Sequence, residues 1–325
     1  MSIKKIAVLT SGGDAPGMNA CIRAVVRAGI YNELEVCGVY RGYQGLIEGD
    51  FEAMDARSVS KIIYRGGTIL KSARSDDFMT KEGRKKAHQK LVNEKVDALV
   101  AIGGDGTFKG ADVFSGEFNF PIVGVPGTID NDLAGTDFTI GFNTALNTAL
   151  ESIDKIRDTA AAHNRLFFVE VMGRDSGRIA LWSGVAGGAE EILLPEEKTD
   201  IDELVEKLKE GKANRKSSSI VVVAEGDDMG GALKIAEMVK ERMSDYETRV
   251  TILGHVQRGG NPTCYDRILA SRLGVAAVES LVNNKSGVMV GLVNSNIKHT
   301  PLSKAIKNNK LLNEELLRVS KILSI

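Results

Sequence analysis

The sequence predicts an α/β chain whose mostly parallel sheets are gathered into two closely packed domains. Three observations carry this. Short apolar, β-branched runs alternate with longer amphipathic stretches, which is the pattern of strands joined by crossover helices. The runs lack strict period-two alternation, as strands covered on both faces do. The length, 325 residues, allows roughly two domains, and no Pro-rich linker, low-complexity segment or short-period repeat separates them.

Residues 6–10, 98–102, 122–125, 166–172, 220–224, 250–253 and 288–293 read as strands. Residues 144–162 read as a helix, with Leu146, Ala149, Leu150, Ile153 and Ile156 on one face and Glu151, Lys155 and Asp158 mostly opposite. Asp200 followed by Glu203 predicts a capping box opening a helix to about residue 210.

Bulk chemistry excludes several classes. Hydrophobic residues are 43%, charged residues 26% and the formal net charge −1, so no basic footprint for nucleic acid or an anionic membrane is evident. The densest basic stretch, 81–90, reads as a solvated helix face. Cys21, Cys37 and Cys264 form neither a disulfide framework nor a zinc motif and suit a reducing compartment. The first apolar run is too short for a signal peptide and meets Gly12 and Gly13 at once, and no segment approaches the ~18 apolar residues of a membrane span. A cytoplasmic location is expected. None of the four histidines has metal-site spacing: His88 and His299 read as surface residues and His163 as a helix end. Trp182 reads as core, and there is no G-x-S-x-G elbow for a hydrolase.

Ligands of open α/β sheets collect beyond the carboxyl ends of the strands, so the residues directly after each strand carry the chemistry. After the first strand comes T-S-G-G-D-A-P-G-M-N (10–19), which reads equally as a phosphate cradle or a structural turn. The strand at 98–102 ends in G-G-D-G-T (103–107). Bare glycines there admit a polyphosphate to backbone amides, while Asp105 offers oxygen to a magnesium ion. Residues 122–125 run into P-G-T-I-D-N-D (126–132). If that segment is extended, Asp130 and Asp132 point the same way, an expensive pairing unless a cation or a reacting hydroxyl uses it. A basic set, Arg165, Arg174, Arg249, His255 and Arg258, implies a phosphorylated substrate, because the guanidinium fork matches phosphate oxygens.

Taken together, T-S-G-G-D-A-P-G-M-N, R-G-G-T-I-L-K-S-A-R, I-G-G-D-G-T, P-G-T-I-D-N-D, V-E-V-M-G-R, A-G-G-A-E and L-G-H-V-Q-R-G-G closely resemble the bacterial ATP-dependent 6-phosphofructokinases, in that family's order and from about residue 4 to 325. The resemblance implies two Rossmann-like three-layer domains, interleaved: an ATP-binding domain of 1–140 with about 256–305, and a sugar-phosphate domain of about 141–255 with 306–325. It implies transfer of the ATP γ-phosphoryl group to the 1-hydroxyl of fructose 6-phosphate in glycolysis, with Mg2+, in a cytoplasmic homotetramer. Gly13, Arg74, Ser75 and the Gly104, Asp105, Gly106, Thr107 turn match ATP-binding positions, Asp105 the magnesium ligand. Asp130 matches the catalytic base, Thr128 and Asp132 its neighbours, and Arg74 a bridge between the phosphates. Thr128, Ile129, Asp130, Met172, Gly173, Arg174, Glu225, His255, Val256, Gln257 and Arg258 match the sugar-phosphate site. Arg165 and Arg249 match arginines that reach it from a neighbouring subunit. Relatives often carry an aromatic or apolar residue where Ser75 stands. Pyrophosphate-using relatives commonly carry Asp and Lys where this chain has Gly106 and Gly127, so ATP is the expected donor.

A second, effector site for ADP or phosphoenolpyruvate is matched by Arg23, Arg27, Arg157, Gly188, Glu190 and Lys216. There the family's arginine falls on Ala56, with Arg57 next, and its acid on Lys61, so weak or altered allostery is expected. Two rivals remain: G-G-D-G-T alone also resembles lipid and NAD kinases, and a silent regulatory relative would lack Asp130, Asp105 or Arg74. The first leaves P-G-T-I-D-N-D unexplained; the second is at odds with all three residues being present.

Overall fold

The computed structural model describes residues 3–161, 165–213, 219–244, 246–306 and 311–323. The strands are β1 (Lys5–Thr10), β2 (Glu35–Val39), β3 (Phe51–Met54), β4 (Ala98–Gly103), β5 (Ile122–Thr128), β6 (Ile140–Gly141), β7 (Leu166–Val171), β8 (Glu191–Leu193), β9 (Ser219–Ala224), β10 (Thr248–Ile252), β11 (Val288–Val293) and β12 (Asn296–Pro301). The helices are α1 (Met18–Tyr31), α2 (Gly42–Glu48), α3 (Lys81–Asn93), α4 (Asp105–Phe118), α5 (Phe142–Ala161), α6 (Arg178–Ala186), α7 (Ile201–Ala213), α8 (Gly231–Arg242), α9 (Cys264–Val282) and α10 (Glu314–Leu323). They divide into two compact units, Met1–Thr144 with Arg258–Lys310, and Ala145–Gln257 with Leu311–Ile325.

In the first unit the sheet order is β12-β11-β5-β4-β1-β2-β3, with β6 paired to β5. Its central strands are parallel, and β3 and β12 close the two edges antiparallel. β4 and β5 are buried along their whole length, which is why their residues are apolar without alternation. One face packs on a core of Leu9, Leu46, Leu91, Leu99, Phe108 and Phe114. β1, β4 and β5 lie side by side, so the turns after Thr10, Gly103 and Thr128 emerge at one edge of the sheet.

The second unit has a four-stranded parallel sheet, β10-β7-β9-β8. Leu166, Phe168, Val221 and Val223 meet Leu204, Leu208, Ile235 and Val239 of α7 and α8. Asp200 opens α7 as its capping residue, its Oδ1 accepting from the amides of Asp202 and Glu203, and the helix runs on to Ala213.

Several expectations are corrected. Strands β2, β3, β8 and β12, with the two-residue β6, are additional to those read from the sequence; they are short or mix polar with apolar residues, so no long apolar run marks them. β10 begins at Thr248, and Ile252 at its end is half exposed, since β10 is a sheet edge. Trp182 is only partly buried on α6, and His88 is not a plain surface residue: its ring stacks on Phe118 at 4.5 Å. Burial lowers the His88 pKa. His299 meets the Ser280 hydroxyl at 2.8 Å. His163 lies outside the described residues. Among the described residues no helix is long and apolar enough to cross a membrane.

Candidate active site

The turns after β1, β4 and β5 are joined by direct contacts. The Thr107 hydroxyl donates to the Ser11 carbonyl at 3.1 Å, and the Ser11 amide donates to the Ile102 carbonyl at 3.0 Å. A Cβ on Gly103 would lie 2.3 Å from Thr107 Oγ1 and 2.5 Å from the Ser11 oxygen, so only glycine lets β4 turn here. A Cβ on Gly104 would touch Thr128 at 3.4 Å, which sets the β4 and β5 turns against each other.

α4 starts inside this cluster. Gly104 is its capping residue and supplies no side-chain cap, so the first-turn amides at the positive end of the helix dipole have no capping side chain. A Cβ on Gly106 would meet nothing within 4 Å, so there is open space over those amides. That combination suits a polyphosphate. Asp105 opens the helix, and its carboxylate is paired at 2.7 Å with Lys109 one turn on. Among the described residues no three carboxylate, imidazole or thiol groups gather into a metal cage. Asp105 as a hard oxygen donor nonetheless fits a magnesium ion that draws its other ligands from phosphate and water.

Thr128 and Asp130 are buried at the end of β5, 7% and 5% exposed, and the Asp130 amide donates to Thr128 Oγ1 at 3.2 Å. The expected extended run to Asp132 is not formed. The chain bends at Ile129 and Asp130, and Asn131 takes a left-handed φ of 49°, so period-two alternation does not relate the two carboxylates. Asp132 is more exposed than Asp130.

The segment carrying Arg74 lies across the end of β1. Thr10 Oγ1 bonds to Thr68 Oγ1 and to the Lys71 carbonyl, both at 2.8 Å. Asn19, buried in the first turn of α1, donates to the Arg65 and Gly66 carbonyls and accepts from the Ile69 amide at 2.7 Å. Beyond Arg74, which is exposed, the Ser75 hydroxyl donates to Gln44 at 2.7 Å. Phe78 stacks on Tyr43 at 3.9 Å, and the Tyr43 hydroxyl donates to the Thr107 carbonyl at 2.6 Å. Arg74 is thereby tethered on both sides to the β1 and β4 turns. Arg258, 9% exposed, packs against Gly13, where a Cβ would come within 2.5 Å of its guanidinium, and donates to the Asp14 carbonyl at 3.2 Å.

The second unit holds another group at the carboxyl ends of its strands. Glu225 Oε1 accepts from the Gly173 amide at 3.1 Å and the Arg174 amide at 2.7 Å, fixing Arg174 in a left-handed conformation. The Met172 amide donates to Gln257 Oε1 at 2.9 Å, while His255 and Val256 are exposed on the adjoining 3-10 turn. The basic residues read as one set are divided. Arg165 precedes β7 and Arg249 is the second residue of β10, at the amino ends of those strands rather than beside Arg174. Both guanidiniums bond to Glu247, Arg165 at 2.9 Å.

The effector-like residues also fall into two sets. Arg23 and Arg27 share a face of α1 in the first unit, and burial followed by the neighbouring Arg27 charge lowers the Arg23 pKa. Arg57 is turned by Asp55, whose carboxylate accepts its amide, and Lys61 is exposed with a left-handed φ of 55°. In the second unit Arg157 donates to the Gly187 and Gly188 carbonyls, and Glu190 accepts from the Ile220 amide. Lys216 lies outside the described residues.

Asn19, Tyr43, Lys109, Asn131 and Glu247 escape a reading of the sequence. Asn19 and Asn131 stand inside the quoted motifs, but an amide side chain announces no charge chemistry, and its partners are visible only in the fold.

Comparison with known proteins agrees with this arrangement. The phosphofructokinase family model matches residues 5–281. ATP-dependent 6-phosphofructokinase 2 of Bacteroides thetaiotaomicron is 56% identical over 324 residues, covering 100% of this chain and 99% of the relative. ATP-dependent 6-phosphofructokinase 1 of Thermus thermophilus is 57% identical over 323 residues, covering 99% and 100%. Among solved structures, phosphofructokinase from Saccharomyces cerevisiae superposes with a TM-score of 0.86 at 38% identity, covering 99% of this chain and 47% of that one. A pyrophosphate-dependent phosphofructokinase from Nitrosospira multiformis shares the fold, with a TM-score of 0.84 at 23% identity over 100% of this chain and 92% of its own. With strand-end turns built as described and relatives matched end to end, this chain belongs to the phosphofructokinase family.

Proposed function

We propose that this protein is an ATP-dependent 6-phosphofructokinase, converting fructose 6-phosphate and ATP to fructose 1,6-bisphosphate and ADP. The observation that carries the reading is the meeting of the β1, β4 and β5 turns, which puts the buried Asp130 end of β5 against the uncapped start of α4. The first-turn amides of Asp105, Gly106 and Thr107, with Gly13, receive the nucleotide phosphates. Asp105 is the residue to hold Mg2+, which when bound offsets phosphate charge. Asp130 accepts the proton of the sugar 1-hydroxyl as its oxygen forms a bond to the γ-phosphorus and the bond to ADP breaks. Thr128, Ile129 and Asp132 flank that hydroxyl. Arg74 neutralises charge developing between the phosphates, an effect worth several kcal/mol in phosphoryl transfer.

Met172, Gly173, Arg174, Glu225, His255, Val256, Gln257 and Arg258 recognise the sugar phosphate. Arg165 and Arg249, standing apart from Arg174, serve the site of a neighbouring subunit in a homotetramer. Gly106 and Gly127 favour ATP, because the space over Gly106 admits an α-phosphate that an Asp side chain would block. The enzyme works in the cytoplasm, and the altered lining at Arg57 and Lys61 weakens control by ADP or phosphoenolpyruvate.

The test is a coupled assay with fructose 6-phosphate, offering ATP or pyrophosphate with Mg2+. Fructose 1,6-bisphosphate formed with ATP and negligible product with pyrophosphate is the expected result. No product with ATP, or comparable rates with both donors, overturns the reading.

A further inference from the structure

We infer that Asn131 is a positioning residue for the phosphoryl transfer, acting as an internal clamp that sets Asp130 at the end of β5. The inference rests on the phosphofructokinase reading above and assigns a role within it. Asn131 is 3% exposed and adopts a left-handed φ of 49°, a conformation Asn tolerates better than most side chains. With that torsion the chain departs from the extended path between the two carboxylates, and the Asn131 side chain is buried. Its Nδ2 donates to the Asp137 carbonyl at 3.1 Å and its Oδ1 accepts from the Thr139 amide at 3.0 Å. One amide group thus bonds an acceptor and a donor two residues apart, as a neighbouring strand would, and closes the loop 132–138.

Both ends of the clamp are anchored. Thr139 Oγ1 donates to the Thr128 carbonyl at 2.6 Å, and β6, directly after Thr139, pairs with β5 in the register Gly127↔Ile140 and Thr128↔Gly141. On the far side the Asp137 amide donates to the Leu292 carbonyl at 2.8 Å, the Asn294 amide to Asp137 Oδ2 at 2.8 Å, and the Leu292 amide to Thr136 Oγ1 at 3.1 Å. The loop is therefore fastened to the end of β11 and, through Asn131 and Thr139, to the residue whose hydroxyl accepts from the Asp130 amide. With the Asn131 amide deleted, Asp130 keeps its amide bond to Thr128, but the residue directly after it loses both ties to the loop at Asp137 and Thr139, which frees the carboxylate to shift. A base displaced by about 1 Å costs on the order of 10²-fold in rate.

The experiment compares wild type with Asn131→Gly, which accepts the left-handed backbone while deleting the amide, and Thr139→Val, which keeps side-chain shape while deleting the bond to Thr128. Steady-state kcat and both KM values are measured, with the ATP dissociation constant by calorimetry in the absence of sugar phosphate. Asn131→Gly is expected to lower kcat by about 10²-fold and Thr139→Val by about tenfold, with ATP affinity and both KM values within about threefold of wild type. A merely structural residue lowers the thermal midpoint and leaves the kcat of the folded protein nearly unchanged. A folded Asn131→Gly enzyme with kcat within threefold of wild type overturns the inference. If that variant does not fold, Thr139→Val decides in the same way. Wild type inactive on fructose 6-phosphate overturns the functional reading itself, and the inference with it.

Discussion

Asp105 and Gly106 show how much chemistry a single position can carry. Asp105 is held at 2.7 Å by Lys109, an i,i+4 pair whose lysine is half exposed, so an arriving cation can take the lysine's place. Gly106 needs no unusual torsion and fills no packed space; its contribution is room. Gly106→Asp should therefore leave the thermal midpoint within about 2 °C of wild type, because no atom lies within 4 Å of the new Cβ. It should raise the KM for ATP at least tenfold, about 1.4 kcal/mol, by setting a carboxylate where a phosphate is to bind; titration of ATP against the variant checks both. The glycine and aspartate motifs were legible in the sequence because three glycines around one acid are more than a tight turn needs. The Asp130–Asp132 relation was not, because one left-handed torsion at Asn131 cancels the alternation that a strand would impose. Nor was Glu247 visible as the shared partner of Arg165 and Arg249, since their meeting depends on β7 and β10 being neighbours.

At the scale of elements, strands β1, β4, β5, β7, β9 and β11 were legible from their apolar runs, since burial on both faces leaves an unbroken hydrophobic signature. β2, β3, β8 and β12 are short or exposed at an edge, and their mixed residues carry no such signature. The start of α5 depends on a group more than a hundred positions away. Asp266, fully buried on α9, accepts from the Gly141 amide at 3.0 Å, the Thr144 amide at 2.8 Å and the Thr144 hydroxyl at 2.5 Å. Burial raises its pKa, and the bonds from Thr144 and Gly141 oppose that rise. It is a cap supplied from elsewhere in the chain, which no local capping rule reveals. Asp266→Ala leaves buried amides without this acceptor at a cost of about 3 kcal/mol, so thermal melting should show a midpoint about 4 °C lower. A midpoint unchanged within about 2 °C would remove Asp266 from this role.

For the whole molecule, the two units differ in what they carry. The first gathers the buried carboxylate, the uncapped helix start and Arg74; the second gathers Arg174 and Glu225 at one end of its sheet and Arg165 with Arg249 at the other. Arginines separated from Arg174 in this way suit a site completed by another copy of the chain. Mixing inactive Asp130→Asn chains with inactive Arg249→Ala chains should then restore part of the activity in hybrid oligomers. Confirmed hybrids without regained activity would contradict subunit sharing. Turnover itself rests on one side chain, the buried carboxylate at the end of β5 as the base toward the sugar hydroxyl. That role is tested most directly by kcat for Asp130→Asn, measured beside the ATP dissociation constant and the thermal midpoint of the same preparation. The expected result is kcat lower by about 10² to 10⁴-fold with ATP affinity and folding preserved. A kcat within a fewfold of wild type would contradict it.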